Sequence, residues 1–287
     1  MDSPAVSPYA LLGWAAVIVT TINVNGIRAA VRERSADNRG LLAWLADTAA
    51  DVVCLQETRA DDAQLRAALS PVLAPLVSDG WHLASAEPHL KGRSGVAILS
   101  REPFIDVRIG VGASEFDDHG RYLEVDLPGR TTVGSLYVHS GEAGTDRQLE
   151  KERFMAALSK RMAELVAGGR DAVLCGDWNI GHTEHDIKNW KGNLTKAGFL
   201  PQERQWLTDL MGAGWVDVVR RLHPDRPGPY SWWSWRGKAF DSDAGWRIDF
   251  HLATESLAER ARSARVEKAE AYELRWSDHA PVTVEFR

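Results

Sequence analysis

Short, almost continuous apolar runs alternate along this chain with amphipathic stretches, and this alternation limits the fold more than any other feature. The apolar runs have the length and composition of buried strands, as in VIVTTINV, DVVCLQE, SGVAILS and DAVLCGDWN. The amphipathic stretches place apolar residues at helical spacing over residues 39–49, 61–76, 146–167 and 202–212. The pattern predicts an α/β fold in which two central sheets are covered by helices on both outer sides.

Further strands are predicted between and after these segments, at WHLASAE, RYLEVDL, TTVGSLYVHS, RIDFHLA and APVTVEF. The first strand is predicted at residues 16–24, and the long helix is predicted to end at Gly168 and Gly169. Because no linker rich in Pro, Gly or Ser divides the chain, we predict one domain over residues 16–287. Residues 1–15 are interpreted as an N-terminal extension.

The apolar stretch at residues 10–19 is not predicted to direct export or to cross a membrane. It has no preceding basic residues and no small-residue cleavage pattern, and it is too short to span a bilayer. Cys54 and Cys175 each lie inside an apolar run, so both are predicted to be buried and unpaired, as in a reducing compartment. A cytoplasmic protein without a membrane partner is therefore expected.

The overall charge bears on the class of partner. The 44% hydrophobic and 26% charged composition supports an ordered core, and the formal net charge is −6. A negative total argues against binding nucleic acid by overall charge, since phosphate neutralisation drives that binding. Binding needs only a local basic face, however, and carboxylates gathered at a metal site add to the negative total.

Polar residues recur where the apolar runs begin or stop. Five strands carry Asp, Glu, Asn or His at one end: Asn23 and Asn25, Glu57, Asp177 and Asn179, Asp249, and Asp278 and His279 after Ser277. Taken singly, each is more typical of a turn, a helix cap or a solvated strand end. Gathered on one edge, they would form a cup of oxygen ligands with one imidazole.

Such a donor set suits a hard cation. Mg²⁺ and Mn²⁺ take carboxylate, amide and water oxygens, whereas structural zinc needs Cys or His at close spacing, which the sequence lacks. A cation of this kind polarises a phosphoryl oxygen, while a carboxylate takes a proton from water. The residues therefore predict hydrolysis of a phosphate ester.

The ordered motifs INVNGIRAA, LQET, GRSGVAILS, SLYV, GDWNI, GWRID and SDHAP resemble the exonuclease III family of abasic-site endonucleases. That family belongs to the endonuclease/exonuclease/phosphatase superfamily. The resemblance runs from about residue 19 to residue 287, and the stretch at 185–207 is similar to the DNA-repair branch alone. It implies a four-layered α/β sandwich and a Mg²⁺- or Mn²⁺-dependent hydrolase, with residues 16–287 as the catalytic domain.

The resemblance also implies roles for single residues. Glu57 and the neighbouring Asn23 are expected to bind the metal, with Asp278 as a second ligand or a helper of the leaving group. The expected catalytic residues are Tyr137, Asp177, Asn179, Asp249 and His279. Among these, Asp177 aligns or deprotonates the attacking water, and Asn179 binds the phosphate and water. Tyr137 and His279 contact the phosphate, and Asp249 orients the imidazole.

Other positions are predicted to contact DNA. Trp232 and Trp246 match the family's pocket for a base-less sugar. Asn25, Lys188 and Lys191 are also expected to bind substrate. Further candidates, each weak alone because most charged residues are simply solvated, are Arg28, Lys91, Arg93 and Lys196.

The sequence departs from the family pattern in three places, of which one is the N-terminal extension at residues 1–15, which has no recognised counterpart. His139 and Ser140 replace the usual residues after the tyrosine strand, so that His139 is a candidate for an added contact. Trp178, inside the GDWN motif, is predicted to pack rather than react.

Three functions are compatible with these features. The favoured one is a monomeric DNA-repair enzyme that cleaves double-stranded DNA 5′ to abasic sites and processes damaged 3′ ends. It would act as a 3′–5′ exonuclease and as a 3′-phosphatase or diesterase. A second is a superfamily relative acting on phospholipid, inositol phosphate or RNA, which the stretch at 185–207 disfavours. A third is an inactive nucleic-acid-binding module, which the intact set of acidic and amide residues disfavours.

Overall fold

A computed structural model of the chain describes residues 16–74, 76–129 and 131–287, so the predicted N-terminal extension lies outside the described residues. Two six-stranded mixed sheets form the centre. The strands of the first sheet, in spatial order, are β11 (Ala261–Val266), β12 (Val282–Phe286), β1 (Val17–Asn23), β2 (Val52–Gln56), β4 (Val96–Ser100) and β3 (His82–Ala86). Those of the second are β5 (Asp106–Ile109), β6 (Tyr122–Leu127), β7 (Thr131–Tyr137), β8 (Asp171–Asp177), β10 (Asp249–Thr254) and β9 (Trp215–Asp217).

Helices cover the outer faces of both sheets. The first sheet is covered by α1 (Ile27–Ala30), α2 (Gly40–Asp47) and α3 (Asp62–Leu69), and the second by α4 (Asp146–Ala167) and α5 (Pro201–Gly212). Two short helices, α6 (Val218–Leu222) and α7 (Glu255–Ala258), pack instead against the apolar cluster between the sheets. Within the part of the chain that the structure describes, none of the helices has the length and apolar character that a membrane crossing requires.

Three apolar layers hold these elements together. The inner faces of the sheets meet through residues such as Val19, Cys54, Val133 and Val173. Leucines of α2 and α3 pack beneath the first sheet. The apolar face of α4, including Phe154, packs with α5 on the second sheet. Helix, sheet, sheet and helix therefore form the predicted four-layered α/β sandwich, and both cysteines are buried and free as predicted.

The strands that the sequence analysis missed lie at sheet edges. β5, β9 and β11 are each the last strand on one side of a sheet. β5 and β11 have largely exposed or half-buried residues, so they lack the apolar pattern of a central strand. Their extended form is imposed by hydrogen bonding to β6 and β12, which local sequence does not reveal. The long helix, by contrast, has the predicted bounds.

Each sheet contains one parallel pair of strands, and these pairs end at the same rim of the molecule. In the first sheet, Asn23 at the end of β1 pairs with Gln56 at the end of β2. In the second sheet, Tyr137 at the end of β7 pairs with Asp177 at the end of β8. The antiparallel strand β10 begins at this rim, with Asp249 opposite Asp177. Polar residues from both sheets thus converge beyond the apolar core.

Candidate active site

Asn23 connects the two sheets at this rim. Its side-chain nitrogen donates to Oε1 of Glu57 at 2.9 Å and to Oδ2 of Asp177 at 2.8 Å. Its side-chain oxygen accepts from the backbone N–H of Asn25 at 2.9 Å. The amide nitrogen, rather than the oxygen predicted to bind a metal, therefore faces the two carboxylates in this structure.

Three of the predicted site residues have left-handed backbone conformations. Asn25 and Glu57 have φ of 48°, and Asn179 has φ of 49°. Such conformations are uncommon in residues other than glycine and concentrate at functional sites. Here they occur where a buried strand turns sharply at the rim, which directs the polar side chains toward one another.

Glu57 lies between the guanidinium group of Arg59 and the hydroxyl group of Tyr137. Both Nε and Nη2 of Arg59 donate to its Oε2, the Nε contact at 2.9 Å. Burial raises the pKa of the Tyr137 hydroxyl well above its usual value, and the nearby carboxylates of Glu57 and Asp177 raise it further. Tyr137 is therefore a neutral hydroxyl donor beside both carboxylates.

Asp177 accepts three hydrogen bonds at the rim. Its Oδ1 accepts from the backbone N–H of Asn179 at 2.9 Å, and its Oδ2 accepts from the side chains of Asn179 and Asn23. Burial raises the pKa of Asp177 to about 8; protonated His279 opposes this shift, and the carboxylates of Asp249 and Glu57 add to it. The ionised form of a carboxyl group with a raised pKa is a stronger base than an ordinary carboxylate.

His279 lies between two carboxylates. Its Nδ1 is 3.1 and 2.9 Å from the two oxygens of Asp249, and its Nε2 is 3.8 Å from Oδ2 of Asp177. Burial alone would lower the pKa of His279, but Asp249 and Asp177 outweigh it and raise the pKa to about 10. The imidazole is therefore a cation at neutral pH.

Asp278 joins the site to its aromatic wall. Its Oδ1 accepts from the side-chain nitrogen of Asn25 at 2.8 Å, and its Oδ2 accepts from Nε1 of Trp232 at 3.1 Å. Trp232 and Trp246 exchange backbone hydrogen bonds, and their rings meet edge to face at 6.1 Å. Both are half-buried, so they form one wall beside the carboxylates.

The predicted lysines are placed differently. Lys188 is exposed and follows Ile187, which pairs with Trp246, so Lys188 lies beside the tryptophan wall. Lys191 is exposed, with its ammonium 5.6 Å from the Trp190 ring. Arg28, Lys91, Arg93 and Lys196 are also exposed. Their roles in DNA binding stay predictions.

Two of the departures from the family pattern fall on described residues. The Trp178 side chain is fully buried in the core beneath α4 and α5, as predicted. His139 is buried as well, and its Nε2 lies 3.2 Å from the carbonyl oxygen of Arg147.

Two basic residues near the carboxylates were missed. Arg59 lies two residues after Glu57 in the LQETR motif. Lys151 is fully buried and lies 3.1 Å from the carbonyl oxygen of Asn179. The signal for Lys151 was present in the sequence, because a lysine three residues before Phe154 lies on the apolar face of α4.

The donor groups of the rim fit a divalent cation. Ligand atoms of Asp177, Asp249 and His279 lie within 4.8 Å of one another, and this group could hold a metal. Glu57 and Asp278 add further carboxylates, and oxygen-rich sites suit hard cations. His279, however, is protonated and bonded to Asp249 through Nδ1. The carboxylates are therefore the better candidate ligands.

This fold, with acidic, amide and imidazole groups converging from two sheets onto one rim, defines a hydrolase of phosphate esters. The sequence matches the endonuclease/exonuclease/phosphatase family over residues 20–279. The chain belongs to that family, whose nucleases generally depend on divalent metals.

Relatives named for their activities show which members of this family the chain is similar to. The exodeoxyribonuclease of Bacillus subtilis is 35% identical over 91% of this chain and 95% of its own length. The DNA repair nuclease APEX1 of Danio rerio is 31% identical over 93% of this chain and 81% of its own length. The structure of the 3′ phosphatase NExo from Neisseria, bound to a product DNA hairpin, matches with a TM-score of 0.83 and 31% identity. That match covers 94% of this chain and 99% of NExo. The resemblance to the exonuclease III and abasic-site endonuclease type is confirmed, and the chain is an enzyme of that type.

Proposed function

We propose that this chain is a Mg²⁺- or Mn²⁺-dependent DNA-repair phosphodiesterase that cleaves DNA 5′ to abasic sites and processes 3′ ends. The observation that carries the proposal is the linkage of Glu57, Asp177 and His279 at one rim. Glu57 follows β2, Asp177 ends β8 and His279 lies in the loop before β12. Asn23 donates to both carboxylates, and Asp249 pairs with the imidazole. The names of the relatives support DNA as the substrate.

The bound cation would be held by Glu57, with Asp278 as a second candidate ligand, and it would neutralise charge on the phosphate. In its ionised form, Asp177 takes the proton of the attacking water, and Asn179 and Asn23 hold its carboxylate in place. Held by these three bonds, the carboxylate loses little freedom when it acts.

The phosphate is held by hydrogen-bond donors that lie beside Asp177. His279 presents a protonated Nε2, and Asp249 keeps the imidazole in place through Nδ1. Tyr137 contributes a neutral hydroxyl. Both hydrogens of the Asn179 side chain are engaged, by Val138 and Asp177, so we assign Asn179 to positioning Asp177 as well as to contact with substrate.

The tryptophan wall accounts for selection of damaged DNA. A nucleotide without a base has less stacking to lose, so its extrusion from the duplex costs less than that of an intact nucleotide. In this proposal Trp232 and Trp246 line the pocket that receives the sugar, with Asn25 and Asp278, which bonds to Trp232, at its polar side. Lys188 and Lys191 are proposed to contact the DNA backbone.

The test is a product analysis on three duplexes: one abasic, one with a 3′-phosphate and one with an undamaged recessed end. Each is incubated with Mg²⁺, with Mn²⁺ and with EDTA. Incision 5′ to the abasic site, or release of 3′ groups, is expected with metal and not with EDTA. Phospholipid vesicles, inositol phosphates and poly(A) serve as alternative substrates. Turnover of one of these, without turnover of the duplexes, would refute the proposal.

Two accompanying predictions concern the oligomeric state of the protein and its location in the cell. A monomer is expected, and light scattering coupled to size-exclusion chromatography measures this directly. A cytoplasmic location is expected, and fractionation of cells that express the full chain tests it.

A further inference from the structure

Lys151 and Glu203 form an ion pair in the interior next to the active site. Their side chains are both 0% exposed, and Nζ of Lys151 lies 2.7 Å from Oε1 of Glu203. The same ammonium donates to the backbone carbonyl oxygen of Asn179 at 3.1 Å. The pair thus joins α4, α5 and the loop after β8.

A buried lysine at this place does not follow from the packing of α4. Lys151 shares the apolar face of the helix with Phe154, Leu158 and Met162, and methionine would fill a similar volume. Burial lowers the pKa of Lys151, with Glu203 opposing that change. Because apolar replacements of a buried ion pair are often neutral for stability, a role in geometry is the better explanation for the charge.

The carbonyl that Lys151 holds belongs to the residue that positions Asp177. Asn179 donates its backbone N–H to Oδ1 of Asp177 and its side-chain amide to Oδ2. Its φ of 49° is a conformation that asparagine adopts at a cost, so the loop needs external contacts to stay in place. The ammonium supplies one such contact on the side away from substrate.

Glu203 holds a second segment against the same loop. Its Oε2 accepts from the backbone N–H groups of Gly198, at 2.6 Å, and Leu200, at 3.0 Å. A Cβ added to Gly198 would lie 3.0 Å from the carbonyl oxygen of Asn179 and 3.2 Å from the Trp246 ring. The turn at Gly198 is therefore in close contact with both the catalytic loop and the tryptophan wall.

We propose that Lys151, through its pairing with Glu203, is a positioning residue that fixes Asn179 and thereby Asp177 for proton transfer. The inference rests on the proposed function, because it concerns the same site. It does not make Lys151 a catalytic residue, since its ammonium is sealed from substrate. The turn at Gly141, where an added Cβ would lie 3.0 Å from Cδ of Lys151, covers its stem.

The test compares Lys151→Met, the double variant Lys151→Met with Glu203→Gln, and the control Arg161→Met. Arg161 lies on the same helix and pairs with buried Glu124, ten residues and about 15 Å along α4 from Lys151. The readouts are kcat and KM on the best duplex substrate, DNA affinity in EDTA, urea unfolding, and hydrogen exchange of residues 177–181.

Lys151→Met is expected to lower kcat on the order of 10²-fold, because small displacements of a reacting group have effects of that size. KM and DNA affinity should change less than about threefold, since no substrate contact is lost. Exchange at residues 177–181 should rise. The double variant should regain stability, because no unpaired carboxylate stays buried, but it should not regain kcat. Arg161→Met should be destabilised and retain kcat.

A double variant that regains kcat along with stability would show that Lys151 is only structural. An Arg161→Met variant that loses kcat equally would show the same, as would unchanged exchange at residues 177–181. Failure of the proposed function is a separate result, seen as absence of DNA cleavage by the unmodified chain. The kinetic comparison is then made on the phosphate ester that the unmodified chain does hydrolyse, while the exchange comparison stands by itself.

Discussion

Both oxygens of the Asp249 carboxylate lie within hydrogen-bonding distance of Nδ1 of His279, at 3.1 and 2.9 Å. Asp249 comes from the start of β10 in the second sheet, whereas His279 lies in the loop before β12 of the first. The contact therefore joins the two sheets. It leaves Nε2 of the imidazole facing Asp177, 3.8 Å from its Oδ2.

The pH dependence of the reaction should reflect this contact. The pKa of His279 is raised to about 10, so the imidazole is protonated below that pH and loses its proton above it. If the protonated imidazole of His279 holds the phosphate, kcat/KM should decrease as the pH rises through about 10. The Asp249→Asn variant lacks one of the carboxylates that raise the pKa of His279, so this decrease in kcat/KM should occur at lower pH. A pH–rate profile of both proteins measures this, and a decrease at the same pH in both would contradict the assignment.

Asp177→Asn should lower kcat by at least ~10²-fold, because the amide cannot accept a proton from water. The side chain keeps its size and its oxygen can still accept from Asn23 or Asn179, so the fold should be retained. Single-turnover kinetics measure the rate, with DNA affinity in EDTA as the control for binding. A variant as fast as the unmodified chain would exclude Asp177 as the base.

Glu57→Gln should raise the metal concentration needed for half-maximal activity, because a neutral amide attracts a cation more weakly than a carboxylate. The matched control is Glu255→Gln, which removes an exposed carboxylate on α7 far from the rim. Titration of activity with Mg²⁺ and with Mn²⁺ tests both variants. Identical titration curves for Glu57→Gln and the unmodified chain would remove Glu57 from the metal site.

Trp246→Ala should reduce the preference for abasic over undamaged DNA. The contact of the indole with the base-less sugar buries a few carbon groups at ~0.8 kcal/mol each, so a loss of roughly tenfold in kcat/KM on the abasic duplex is expected. Trp246→Phe keeps an aromatic wall and should lose less. Competition between labelled abasic and undamaged duplexes gives the ratio directly, and equal losses on both would argue for general destabilisation instead.

Acid should weaken the buried pairing of Asp186 with Arg247 and Arg220. Burial alone would raise the pKa of Asp186, but the two guanidinium groups outweigh it and lower the pKa to about 2. The resulting stability, roughly 2 kcal/mol, is present above the unfolded pKa near 4 and is lost as pH falls toward 2. Urea unfolding should therefore show a difference between the unmodified chain and Asp186→Asn that shrinks between pH 4 and 2. The exposed Asp209→Asn should show no such dependence.

Much of the site could be predicted because each residue lies directly beside an apolar run. Glu57 and Asp177 were found this way, since the end of a buried strand is a local property of the sequence. The edge strands β5 and β11 could not be found, because exposed edge strands lack the apolar pattern and depend on their neighbours for extended structure.

The order of residue types along the chain by itself determined the α/β class, the oxygen-rich donor set and the family. Only the tertiary structure decided that the nitrogen of Asn23 faces Glu57 and Asp177, and that Lys151 supports Asn179 from behind. The physical reason is the separation along the chain of the residues that interact. The periodicity of a strand is encoded within a few neighbouring residues. The orientation of an amide or an ammonium is instead set by partners tens to more than a hundred positions away, which meet only when the two sheets pack.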